Sequence, residues 1–120
     1  MGTLKTTKFS FTTRDQVVTV TGLDNNESTD VLVGSGSVYS ITLVNNDPAA
    51  MAYFRAVDAS AATVGTTTAE IMIRVAPNTE NTWTVVDGLA FTNLTVWGTD
   101  ANADSTATAA DDMDLKMVMR

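Results

Sequence analysis

Apolar and polar residues trade places at every second position along much of this chain. Phe9 and Phe11 alternate with Lys8, Ser10 and Thr12; Tyr39, Ile41 and Leu43 with Ser40 and Thr42; Ile71, Ile73 and Val75 with Met72 and Arg74. A period of two puts neighbouring side chains on opposite faces of a strand, whereas a helix repeats every 3.6 residues. Further runs cover residues 16–21, 51–57, 81–86, 94–97 and 113–119, so about eight strands are expected. In the last run Met113, Leu115, Met117 and Met119 share one face, and Asp114 and Lys116 take the other.

Residues that strands tolerate poorly separate these runs. Asp24-Asn25-Asn26, Gly34-Ser35-Gly36, Asn45-Asn46-Asp47-Pro48, Val64-Gly65-Thr66, Pro77-Asn78 and Asp87-Gly88 supply turn conformations. Only residues 58–63 read as a candidate helical turn, and they are too few for a crossover between parallel strands. The pattern therefore predicts an all-β fold, an antiparallel two-sheet β-sandwich of jelly-roll or immunoglobulin-like type. Residues 1–120 are read as one such domain, with residues 1–8 as a flexible N-terminal arm.

Composition supports strands and narrows the chemistry. Roughly one residue in six is threonine, whose branched side chain suits a pleated, half-buried surface. The chain has no cysteine and no histidine, which removes disulfides, thiol chemistry and the commonest general base, so no enzymatic activity is expected. The net charge of −7 disfavours nucleic acid and anionic lipid as partners. No stretch approaches the ~18 apolar residues of a membrane-spanning helix, so no membrane partner is expected either. Lys5, Lys8 and Arg14 precede the first acid, Asp15, so a basic start leads an acidic body. This start reads either as an arm that docks on an acidic neighbour or as a first strand with solvated lysines.

Phase along the strands sorts the large apolar residues. Trp83 runs in phase with Val85, and Phe91 follows Leu89, so both aromatics read as core. Trp97 is in phase with Thr95 rather than with Leu94 and Val96, so it is expected to face outward and to serve an interface.

The second half of the chain carries a series of short motifs in a fixed order. Ala52-Tyr53-Phe54-Arg55-Ala56-Val57-Asp58-Ala59 is followed by Val64-Gly65-Thr66-Thr67-Thr68, then by a strand ending at Pro77. Asp87-Gly88-Leu89-Ala90-Phe91 comes next, and an acidic, threonine-containing loop over residues 99–112 precedes the final strand. This order resembles small virion proteins of tailed bacteriophages, of the capsid decoration (cement) or head-fibre β-sandwich type. It spans residues 52–119, more than half of the chain. Arg55 stands where those proteins usually have a lysine, and Ala69 where a proline would follow the threonines.

The resemblance implies a decoration protein on the outer surface of the capsid, a homotrimer whose partner is the assembled major capsid protein. The alternative it allows is a head-fibre or tail adhesin binding host glycan or receptor, with Trp97 or Tyr53 at a shallow groove. For contacts between subunits the candidates are Lys5, Lys8 and Arg14 on the basic start, Trp97, and Met113, Met117 and Met119 on an adaptable apolar strand.

Two patterns could carry chemistry. Asp58, Glu70 and Glu80 are the carboxylates from which an acid/base pair could be drawn, and all three read as solvated strand ends. Asp100, Asn102, Asp104 and Asp111 place oxygens at alternate positions of one loop, with Asp111 at its twelfth place, as a calcium loop would. Ser105 replaces the obligate glycine, Asp111 is shorter than the bidentate glutamate, and no flanking helices are evident, so a solvated loop without a cofactor is expected.

Overall fold

The computed structural model describes residues 3–8, 16–23, 28–32, 36–103, 105–106, 108–110 and 112–120, the first strand and the third by their backbone alone. The strands are β1 (Thr3–Lys8), β2 (Gln16–Thr21), β3 (Ser28–Leu32), β4 (Gly36–Asn45), β5 (Ala52–Val57), β6 (Ile71–Val75), β7 (Thr79–Phe91), β8 (Leu94–Thr99) and β9 (Met113–Met119). There is no helix among the described residues; the stretch 58–70 runs through bends and a single turn. Residues 9–12, expected with Lys8 to form a strand of their own, lie outside the described residues.

Two antiparallel sheets form the sandwich. The first has five strands in the order β1-β2-β9-β4-β7, and the second has four, β3-β8-β5-β6. Pairing is nested: β5 pairs with β6, β4 with β7, β3 with β8, and β2 with β9. The chain thus behaves as one long hairpin, folded at the β5–β6 turn and then rolled so that β4 meets β9 and β5 meets β8. This is the jelly-roll alternative of the two expected topologies. β1 adds a fifth strand beside β2, so residues 3–8, expected as an arm, are part of a sheet.

The core lies between the inner faces. Val18, Val20, Ile41, Leu43, Leu115 and the three methionines Met113, Met117 and Met119 point in from the first sheet. Ala52, Phe54, Ala56, Val75, Leu94 and Val96 meet them from the second. Burying side chains of this size contributes about 1.5–3 kcal/mol each, which here stands in for the missing disulfides. Phe91 is buried in the same core, while Trp83, read as a core residue, packs against it half-buried at the edge of the first sheet.

One long strand replaces an expected turn. β7 continues through Asp87-Gly88, but its register to β4 slips: Thr84 faces Ser40 and Leu89 faces Val38, so residues 85–88 bulge opposite Tyr39 alone. Gly88 adopts φ 77°, and a Cβ there would lie 2.9 Å from the Tyr39 ring, so the position requires glycine on both counts. The same slip shifts β4, so Val38 joins Ile41 and Leu43 in the core and Tyr39 does not. Tyr39 instead lies half-buried under the Arg120 guanidinium, 5.6 Å from the ring centre.

Candidate functional surfaces

The outer face of the second sheet is closed by its own loops. On β5 and β8 the outward residues are Tyr53, Arg55 and Val57, and Thr95, Trp97 and Thr99, with Arg55 directly opposite Trp97. Every residue of β8 is buried, the inward ones by the sandwich and the outward ones by what lies on top. Over one half of this face runs the stretch 58–70: Trp97, Val57 and Ala62 form a small second core, with Ala59, Val64 and Ala69 packed against it. The Thr95 hydroxyl pins that stretch by donating to the Ala59 carbonyl at 2.7 Å. The phase expected for Trp97 is therefore right and its exposure is not: it faces outward, but it is only 1% exposed. Trp97 is not available as a surface contact.

Over the other half lies the acidic loop, anchored by a buried arginine. Arg55 is 1% exposed. Its Nε donates to Thr99 Oγ1 at 3.0 Å, and its Nη2 donates to the Ala101 and Ala103 carbonyls at 3.0 and 2.9 Å. Thr99 Oγ1 in turn donates to the Ala101 carbonyl. Backbone bonds from Asp100 to Thr108 and from Ala110 to Gly98 fasten the loop to the end of β8. A guanidinium has five donors in a rigid fork, which suits it to gathering several carbonyls where an ammonium would reach fewer. The sequence marks this residue only faintly, as one charge inside the otherwise apolar run Ala52-Tyr53-Phe54-Arg55-Ala56-Val57.

Two members of the calcium pattern are among the described residues. Asp100 and Asn102 are exposed, and Asp104 and Asp111 lie outside the described residues. Among the described residues no three carboxylates gather where they could hold a metal ion.

The methionine strand also turns out differently from the interface reading. Met113, Met117 and Met119 share a face, as their spacing implies, but that face is the core, and all three are fully buried. Lys5 and Lys8 sit on β1 opposite Thr19 and Gln16 in register, while Arg14 lies outside the described residues.

The first sheet presents an open outer face. Reading across it, Thr19, Lys116, Thr42 and Thr82 stand side by side in register, with Val44, Asp114 and Glu80 in the next row. The Thr42 and Thr82 hydroxyls bond each other at 2.9 Å. Asp114 is engaged at one end of the face: its carboxylate accepts from the Gly22 amide at 2.9 Å and from the Asn46 side chain at 3.2 Å. A depression of about 210 Å³ lies among Thr19, Thr42, Glu80, Asp114 and Lys116.

At one end of the sandwich a cleft of about 220 Å³ brings Asp58 and Glu70 together over a floor of Ile71, Leu89, Phe91 and Leu94. One oxygen of Asp58 is already used, accepting the Thr92 and Asn93 amides at 3.0 Å each. The third carboxylate, Glu80, stands apart on the outer face of the first sheet. Its described lining is two carboxylates, Asp58 and Glu70, and otherwise apolar side chains.

In comparisons with known proteins, no family model matches the chain, no curated protein matches its sequence and no solved structure matches its fold.

Proposed function

We propose that this chain is a bacteriophage capsid decoration (cement) protein, which binds the assembled lattice of the major capsid protein on the outside of the virion and stabilises the head as a homotrimer. The reading is supported by the ordered motifs of residues 52–119 and by how the polar side chains within them are spent. Arg55, Thr95 and Thr99 hold loops onto the second sheet, and Asp58 holds the turn after β7. What the molecule offers a partner is surface. A protein that binds only the assembled lattice stabilises it by its binding free energy, and several copies held together gain avidity.

Of the two aromatics named for the head-fibre or tail adhesin alternative, Trp97 is buried, and Tyr53 stays partly exposed on β5. Co-sedimentation with heads of the phage that encodes the chain tests the decoration reading. Saturable binding to assembled heads, with none to unassembled capsid subunits, is expected. Equal binding to both, or to neither, contradicts it.

A further inference from the structure

We propose that copies of this chain join head to tail through the first sheet, the β1 edge of one copy pairing in parallel with the 79–84 segment of β7 on the next. The inference rests on the self-association in the proposed function and identifies the surface that carries it.

Both strands end the same sheet, so each presents an edge row of backbone donors and acceptors that pairs with no other described strand, a ready template for another strand. Their lengths agree. β1 has six residues, and β7 pairs with β4 in unbroken register through six, from Thr79 opposite Asn45 to Thr84 opposite Ser40, before its bulge ends the regular edge. Their directions agree as well. Four antiparallel steps separate β1 from β7, so both run the same way. A rotation about an axis along the strands therefore brings them together in parallel, and such a rotation can close a ring of three.

Charge selects this pairing over the others. β1 carries Lys5 and Lys8 and no acid, whereas β7 carries Glu80 within residues 79–84, on the same outer face as Lys5, then Asp87 in the bulge that follows, and no cation. Glu80 and Asp87 are exposed, and neither makes a hydrogen bond or ion pair with a described residue. Two β1 edges would set lysine against lysine and two β7 edges carboxylate against carboxylate, both unfavourable across neighbouring strands. Only the mixed pair is complementary.

Apolar exposure points to the same side. Of the four large apolar residues exposed among those described, two, Val86 (86%) and Leu89 (39%), lie on β7.

The test is the native mass of the full chain, by analytical ultracentrifugation without any capsid present, for the parent, Glu80→Lys with Asp87→Lys, Lys5→Glu with Lys8→Glu, and all four together. The parent is expected to form a closed oligomer. Each double variant is expected to dissociate at a concentration at least about tenfold higher, and the fourfold variant to regain assembly. All four positions lie on edge strands, and circular dichroism checks that folding is intact. A cysteine-free chain also permits a direct probe: oxidation of Thr7→Cys combined with Thr82→Cys, both on the outer face of the sheet, is expected to link copies covalently. A parent that stays monomeric at high micromolar concentration overturns the inference, as does an oligomer indifferent to every charge variant. Because capsid is absent, charge-dependent assembly with no head binding would sink the decoration reading alone, and head binding by a monomer would sink the edge pairing alone.

Discussion

The outer faces of the two sheets follow the same alternating pattern and finish in opposite environments. On the second sheet the outward residues of β8 are Thr95, Trp97 and Thr99, and all are buried. On the first sheet the outward residues of β4, β7 and β9 include Thr42, Thr82 and Lys116, and they stay at the surface. The contrast follows from residue type. Trp97 and the stem of Arg55 carry enough apolar area to draw loops over themselves, and the Arg55 head then satisfies loop carbonyls that closure would otherwise strand. The threonines of the first sheet have no such apolar neighbour and carry a hydroxyl that bonds a neighbour or water, and the described loops leave them uncovered. An antiparallel sheet can leave one face wet, and this molecule does so on one side only.

Substitutions on the two faces should therefore differ sharply. Trp97→Ala empties the small core beneath residues 58–70 and is expected to cost about 3–5 kcal/mol in urea unfolding. A cost under about 1 kcal/mol would show that this roof is loosely packed. Arg55→Ala removes the bonds donated to Thr99, Ala101 and Ala103 and a buried stem, with an expected loss of about 2–4 kcal/mol, and Arg55→Lys should recover only part of it. Full recovery by lysine would mean that the fork is not what holds the acidic loop.

Gly98 probes the inner side of the same strand. An added Cβ would lie 2.8 Å from Met113 Cε, which can move, and 3.1 Å from the Leu23 carbonyl, which cannot move freely. Gly98→Ala is accordingly expected to cost about 1–3 kcal/mol. Thr82→Ala on the open face breaks one exposed hydroxyl contact and should stay within about 0.5 kcal/mol of the parent.

Most strand phases were legible in the sequence, down to the shared face of Met113, Leu115, Met117 and Met119 and the outward phase of Trp97, but not that of Tyr39, which the β7 bulge displaces. Phase tells which residues point the same way, but not what lies there. For Trp97 the cover comes from residues 58–70, distant in sequence and poor in large side chains, and nothing local announces it. The methionines reverse the case, since adaptable apolar side chains serve a core as readily as an interface.

β3 escaped notice because Ser28-Thr29-Asp30-Val31-Leu32 has no alternation, and its place comes from pairing with β8. Asp87-Gly88 reads as a turn, and its glycine does take the left-handed conformation, but the chain spends it on a bulge within one long strand. The nested strand order depends on contacts between residues far apart, which local periodicity does not encode.

The central claim is that this chain works through its surfaces on an assembled phage head, and an image of decorated heads tests it most directly. Extra density at the threefold junctions of the capsid lattice, lost when the protein is omitted and restored when it is added back, is the predicted result. Density confined to the portal or tail, with the junctions bare, would contradict it.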